Sequence, residues 1–248
     1  MPHIEIGAEK VFSVFGLPVT NTLLLSWAVV LLIVIVIQIM SRKMSLVPTG
    51  FQNAVEYVIE VLLGLMTSTF GSEHKAVKYL PYVATFFIMI VISNWAGVLP
   101  GVGSIGLKVA AEGGGTFLLP FLRSPASDLN FTLALAIVSI VAINIFGVAA
   151  VGIGPHLKRF FDFSSPINFF VGLLEIIGEF AKLISLAFRL FGNVFAGEVL
   201  LIIIGFLAPF IAPVPFLMLE LFVGVIQALI FATLTLVFLS IAVEKHHG

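Results

Sequence analysis

The chain has 248 residues, of which 60% are apolar and only 10% charged, with a formal net charge of −1 and no cysteine. A soluble domain carries about 25% charged residues, and a globule of this length could not cover so much apolar surface, so a soluble enzyme, a disordered chain and a nucleic-acid binder are excluded. Disulfides, thiol chemistry and thiolate metal sites are excluded as well, and the class that remains is an all-α polytopic membrane protein.

Charges fall in clumps, with none between Lys10 and Arg42, between Lys78 and Lys108, or between Asp128 and Lys158. A helix needs about 20 apolar residues to cross ~30 Å of hydrocarbon. Each gap therefore holds one crossing, near 20–40, 80–99 and 130–151. The N-terminal stretch does not read as a signal peptide: Glu5 and Glu9 stand where a basic region would be, and Arg42-Lys43 follow the apolar run. Residues 51–70 differ from the crossings. Glu56 and Glu60 are four apart, with Val55, Ile59, Leu62, Leu63 and Met66 on another face, which predicts an amphipathic helix, interfacial or inserted. Loop 101–127, with Gly113-Gly114-Gly115, Pro120 and Pro125, is expected to be irregular.

From Pro166 to Ala208 there is no further proline. As one helix this stretch is about 63 Å long at 1.5 Å per residue, twice the hydrocarbon thickness, so it must tilt steeply, kink or protrude. Pro209, Pro213 and Pro215 make a turn, and a last arm over 216–243 is about 41 Å long. The expectation is a single membrane domain over 1–248. It has about five transmembrane helices and one amphipathic helix, and ends in a long, steeply tilted helical hairpin. Arg42, Lys43, Lys75, Lys78, Lys158, Arg159 and Lys245 gather on one side, and Lys10, Lys108 and Arg123 on the other. The first set should be cytoplasmic and the N-terminus outside.

Within the hairpin, Glu175, Glu179, Lys182, Arg189 and Glu198 lie on the first arm and Glu220 on the second. A central Arg costs about 2.5–3.5 kcal/mol on insertion scales, so these charges need partners. At ~100° per residue, Glu175, Glu179, Lys182, Arg189 and Asn193 share an arc of about 80° over about 27 Å of axis. Gly178, Ser185 and Gly192 recur every seven residues beside it, where small side chains let another helix come close. Glu179 and Lys182, three apart, can form an ordinary ion pair. Arg189 has Ser185, Leu186, Gly192 and Asn193 one turn away and no acid among them. A permanent cation in a membrane needs a counter-ion, and the sharper reading is a carboxylate from another chain. Glu198 and Glu220 flank the proline turn, with Gln227 on the face of Glu220. They read either as inert buried polar groups or as the lining of an aqueous cleft. His3, His74, His156, His246 and His247 all lie outside the crossings, and the sequence has no zincin, lipase or nucleotide-loop motif.

The run Ser185-Leu-Ala-Phe-Arg189-Leu-Phe-Gly-Asn193-Val-Phe-Ala-Gly-Glu198 resembles the signature of subunit a of the F-type ATP synthase membrane sector, in its bacterial form. Glu175 and Lys182 upstream, Gln227-Ala-Leu-Ile-Phe downstream, Asn94 through Pro100, and Asp128-Leu-Asn130-Phe-Thr132-Leu extend the resemblance over most of the chain. The resemblance implies that Arg189 faces the rotor and separates two offset half-channels, with Asn193 as its polar companion. It makes Glu198 and Glu175 channel acids and Gln227 the hairpin glutamine, with Glu179, Lys182 and Ser185 beside the path. Glu220 stands where some relatives carry His, and Gly97 where some carry Asp. The implied partners are a c-subunit ring with one membrane carboxylate per subunit, peripheral-stalk b subunits, the rest of the synthase and the lipid bilayer. The transported ion is a proton, or sodium, and the location a bacterial inner membrane. No cofactor and no nucleotide site of its own are expected. An independent ion or solute transporter built on the same charged hairpin is the alternative, and a polytopic membrane enzyme a third reading.

Overall fold

A computed structural model of the chain describes residues 7–42, 44–110, 116–161, 163–209 and 211–244. His3, Glu5, Lys43, the glycine run 113–115, Lys245, His246 and His247 lie outside the described residues. Five helices are long and apolar enough to cross a membrane: α1 (Asn21–Arg42), α3 (Glu73–Val98), α4 (Leu129–Val151), α6 (Pro166–Leu207) and α7 (Pro213–Val243). Between them lie α2 (Phe51–Phe70) and the short α5 (Ile153–Lys158).

The long apolar gaps become helices close to where the charges end. α3 starts seven residues before the expected crossing, because the polar turn Glu73-His74-Lys75 continues the helix beyond its apolar part. It runs through Pro81, where one backbone bond is lost and neighbouring helices sustain the rest. α7 takes Pro213 and Pro215 into its first turn, where backbone N–H groups have no intrahelical acceptor and proline is tolerated. α6 is unbroken over 42 residues, so an upright crossing would leave about half of it outside the hydrocarbon.

The loops are more ordered than expected. β1 (Lys10–Val14) and β2 (Leu17–Thr20) pair antiparallel ahead of α1. Phe15 and Gly16 between them both have positive φ, 50° and 85°, as a two-residue hairpin turn requires. The 101–127 loop is not irregular throughout. β3 (Gly106–Ala110) pairs antiparallel with β4 (Thr116–Pro120) on either side of the glycine run, and Pro125–Ser127 form a 3-10 turn. Two short strand-forming runs around a glycine-rich connection are sufficient for a hairpin.

The core joins α2, α3, α4, α6 and α7 through Met66, Ile90, Ile143, Leu190 and Leu239. Hydroxyl contacts bridge the helices inside it: the Tyr82 hydroxyl donates to the Ser139 carbonyl at 2.8 Å, and Ser139 and Thr235 hydroxyls meet at 3.1 Å. α2 buries Leu62 and Met66 and exposes Glu60, the amphipathic pattern expected. α1 stands at the periphery. It packs through Leu25 and Val29 against Ala96, and the Thr22 hydroxyl donates to the Asp128 carboxylate at 2.8 Å. Asp128 also caps α4 by accepting from the Asn130 N–H.

An odd number of crossings with this split of basic residues predicts an external N-terminal hairpin and a cytoplasmic start of α3. Since the chain has no native cysteine, single substitutions report directly. Ser13→Cys should react with an impermeant maleimide from outside and His74→Cys from the cytoplasm. The reverse pattern would reject the orientation.

Candidate functional site

The polar side chains of the last two helices form three groups along α6. Nearest its start, Glu175 and Glu179 meet Lys182 and, from beyond α5, Arg159. Arg159 donates to Glu175 and lies 3.9 Å from Glu179, and the Lys182 ammonium is 2.8 Å from Glu179 and 3.8 Å from Glu175. All four side chains are 17–28% exposed. Two acids and two bases balance here, so the ion pair foreseen between Glu179 and Lys182 is half of a neutral cluster.

Arg189 lies in the middle of α6 and is exposed. Its guanidinium donates to the Ser185 hydroxyl at 2.9 Å, and among the described residues it has no carboxylate partner. Asn193, one turn further on, is exposed as well. A methyl group added at Gly178 or Gly192 would meet no atom within 4 Å. The small-residue side of this stripe is therefore uncovered by the described residues.

Glu198 points the other way, nine residues and thus about half a turn round from Arg189. Arg123, buried in the loop before α4, holds it: its Nε donates to both Glu198 oxygens, at 2.9 and 3.2 Å. Glu220 of α7 packs against the Gly197 backbone, where a methyl group would come within 2.7 Å of its carboxylate. Both acids line a cavity of about 410 Å³ together with Glu9, Asn94, Arg123 and Ser124. A second cavity of about 210 Å³ shares Asn94, Leu201 and Glu220 with the first and extends to Asn193. Asn94 clips α3 to α7, donating to the Gly224 carbonyl at 3.0 Å beside Trp95, which donates to the Leu221 carbonyl. Gln227 is buried on α7 and lines neither cavity. Gly97 packs against Ser124 so closely that any side chain would overlap it, so an acid at this position would need a displaced loop.

A sequence model of the ATP synthase A chain family matches residues 23–240. The chain belongs to that family. ATP synthase subunit a of Moorella thermoacetica is 31% identical to it over 246 residues, spanning 99% of this chain and all of that protein. The corresponding subunit of Gloeobacter violaceus is 34% identical over 244 residues, 98% of this chain and 92% of that one. The chain is thus a multi-pass membrane component of an ATP synthase, and the reading of it as an independent transporter is not favoured.

Two guanidinium groups, Arg123 and Arg159, entered the sequence reading only as topology signals. Each is held outside the crossings by a loop, and their pairing with α6 is visible only in three dimensions. His156 was likewise set aside as lying outside the crossings. It is buried, and its ring fills the notch left by Gly147 on α4. The Asn144 amide gives its N–H to the Ile140 carbonyl and so presents its oxygen to His156 Nε2, 3.1 Å away, which makes Nε2 the protonated nitrogen. Burial first, then the nearby Arg159 guanidinium, hold His156 below the ordinary imidazole range, against an opposing pull from Glu179.

The sign of the effect follows. A neutral form favoured by the fold contributes stability that is fully present above the unfolded value of about 6.5 and is lost as pH falls through the lowered folded value. His156→Gln keeps a donor for Asn144 and has no proton to take up. It should flatten the acid limb of the thermal-stability profile of the purified complex, and an unchanged limb would show that another group sets it.

Proposed function

We propose that this chain is the stator channel of a proton-driven rotary ATP synthase. On this reading a ring of c subunits slides past the exposed face of α6 while peripheral-stalk b subunits hold the chain still. The carrying observation is Arg189: an exposed, permanently charged guanidinium at mid-helix, beside uncovered small residues, with no carboxylate partner among the described residues. The other charges of the hairpin either have internal partners or line the cavity, so Arg189 is the one that calls for a partner.

A ring carboxyl group that is neutral can face lipid, and one that is ionised cannot. Opposite Arg189 the ionised form is favoured by the adjacent positive charge. A proton must therefore leave the ring carboxyl on one side of Arg189 and be taken up on the other. The two cavities joined at Asn94 and Glu220 support a water path from the external face to Asn193, with Glu198 and Glu220 as its acids. Glu175, with Glu179 and Lys182 behind it, borders the cytoplasmic path. Along the axis Arg189 is about 21 Å from Glu175 and about 13.5 Å from Glu198. The two wet regions end on either side of a cation that opposes direct passage. Each proton carried round by the ring releases about 2.3 kcal/mol per 100 mV of membrane potential.

Arg189→Ala and Arg189→Lys should assemble into the complex yet abolish both ATP synthesis and ATP-driven pumping, because lysine lacks the planar, always-charged fork. Normal pumping by Arg189→Ala vesicles would reject this role. Cysteines at 198 and 220 should react with a small impermeant thiol reagent from outside only, and a cysteine at 175 from the cytoplasm only. Equal reaction of all three from one side would indicate a single cavity instead of two offset paths.

A further inference from the structure

Glu9 lies before every crossing, in the segment leading into β1, and the mechanism above gives it no part. Three hydrogen bonds clamp it to the head of α1. The Asn21 N–H donates to the Glu9 carbonyl at 3.1 Å, the Glu9 N–H donates to Asn21 Oδ1 at 3.3 Å, and Asn21 Nδ2 donates to Glu9 Oε2 at 3.2 Å. Asn21 is fully buried, so this clamp belongs to the packed end of the bundle. One residue group further back, Arg123 Nη1 donates to the Gly7 carbonyl at 3.0 Å while its Nε holds Glu198. The N-terminal segment is thereby tied both to α1 and to the arginine that holds a channel acid.

This placement makes Glu9 part of the wall of the larger cavity. The charged side chains lining that cavity are Glu9 from the N-terminal segment, Arg123 from the loop before α4, Glu198 from α6 and Glu220 from α7. Among the described residues three acids and one guanidinium thus line it, and the guanidinium pairs with Glu198. Asn94, Ser124 and Glu220 line the same space, and their Oδ1, Oγ and Oε2 atoms respectively are buried without a hydrogen-bond partner. Orphaned polar atoms around a polar, roomy cavity are the setting in which bound water is expected. Glu9, Glu198 and Glu220 therefore border one volume suited to water.

We propose that Glu9 is the outermost proton-relay carboxylate of the external path. This inference rests on the reading of the cavity as the external half-channel. The carboxylate takes a proton from a hydronium ion at the outer face, leaving water. It then releases that proton through cavity water to the carboxylate of Glu198 or Glu220 and returns to its ionised form, so that no group is consumed. A fixed negative charge at the mouth also concentrates protons where they are scarce, and such focusing raises capture rates by roughly 10- to 1000-fold.

The test uses the complete ATP synthase in liposomes, with ATP synthesis measured as a function of the pH on the proton-uptake side. Glu9→Gln retains an oxygen that can accept from Asn21 Nδ2, so the clamp survives while the titratable group is lost. It should lower the rate by about tenfold at mildly alkaline uptake-side pH, with the deficit shrinking as that side is acidified. Glu9→Asp should restore most of the rate, and Glu9→Ala should resemble Glu9→Gln. If Glu9→Gln matches the wild type at every pH while Glu9→Ala is impaired, Glu9 is a structural clamp and the inference fails. It fails equally if both match the wild type while Glu198→Gln and Glu220→Gln are impaired. If Glu198→Gln and Glu220→Gln also behave as wild type, the reading of the cavity as a proton path fails with it.

Discussion

A charge held inside a membrane must find an opposite charge, and the architecture of this chain follows from how that requirement is met. α6 carries Glu175 and Glu198 near its ends, 23 positions apart, which is about 34 Å of helix. α4 is 23 residues long and therefore of nearly the same length. The chain places one arginine just before α4 and one just after it, Arg123 and Arg159. Packing α4 beside α6 brings one guanidinium to each end of the neighbouring arm, where the two glutamates are. Arg189 lies between those ends, out of reach of both pairs and turned away from Glu198 by half a helical turn. Its isolation is a consequence of helix length and phase.

The same phase divides α6 into two faces of different character. On the inward face its backbone is in close contact with neighbours. Gly197 meets Glu220, and Gly172 packs onto the Phe160 carbonyl so tightly that a side chain would overlap it. On the face beside Arg189, a methyl group at Gly178 or Gly192 would meet none of the described residues within 4 Å. Glycine in a helix interior costs roughly 0.5–1 kcal/mol relative to alanine. At the inward positions close packing accounts for that cost. At Gly178 and Gly192 nothing among the described residues does so. The few buried residues of so long a helix, Gly172, Leu186, Ala187, Leu190 and Val194, show how little of it the chain itself covers.

Much of this was legible in the residues, because the governing signals were local. Gaps between charges mark the crossings, and the proline-free run from Pro166 marks the long arm. The i, i+4 acids of residues 51–70 mark the amphipathic helix, and the 100° arithmetic places Arg189 and Asn193 together. What was not legible depends on contacts distant in sequence. The Arg123–Glu198 pair is 75 residues apart and the Arg159–Glu175 pair 16 apart across a helix boundary, so neither has a periodic signature. Asn94 reads as part of an apolar helix until α7 is seen to present the Gly224 carbonyl to it. Gln227 illustrates the reverse case. Its seven-residue spacing from Glu220 suggested a shared channel face, but burial against neighbouring helices takes it out of both cavities.

The two ends of the hairpin are electrostatically unequal, and the inequality has a direction. At the α5 end, Glu175 and Glu179 are matched by Arg159 and Lys182, so the cluster is neutral and each carboxylate has a cation in contact. At the other end the described residues lining an open cavity include three acids, Glu9, Glu198 and Glu220, and one guanidinium, Arg123, which pairs with Glu198. An excess of acids in a partly desolvated space attracts a small cation and provides it with successive acceptors, whereas a matched cluster neither attracts nor repels strongly over distance. On the proposed reading, a proton entering the acid-rich end moves toward Asn193 until it meets the positive charge of Arg189. In that proposal its continuation is transfer to an ionised carboxylate brought up from outside the chain. In the proposed mechanism Arg189 and the acids of the cavity are thus complementary parts of one device: the acids would deliver the proton to the middle of the membrane, and the arginine would deny it any path onward except by being carried.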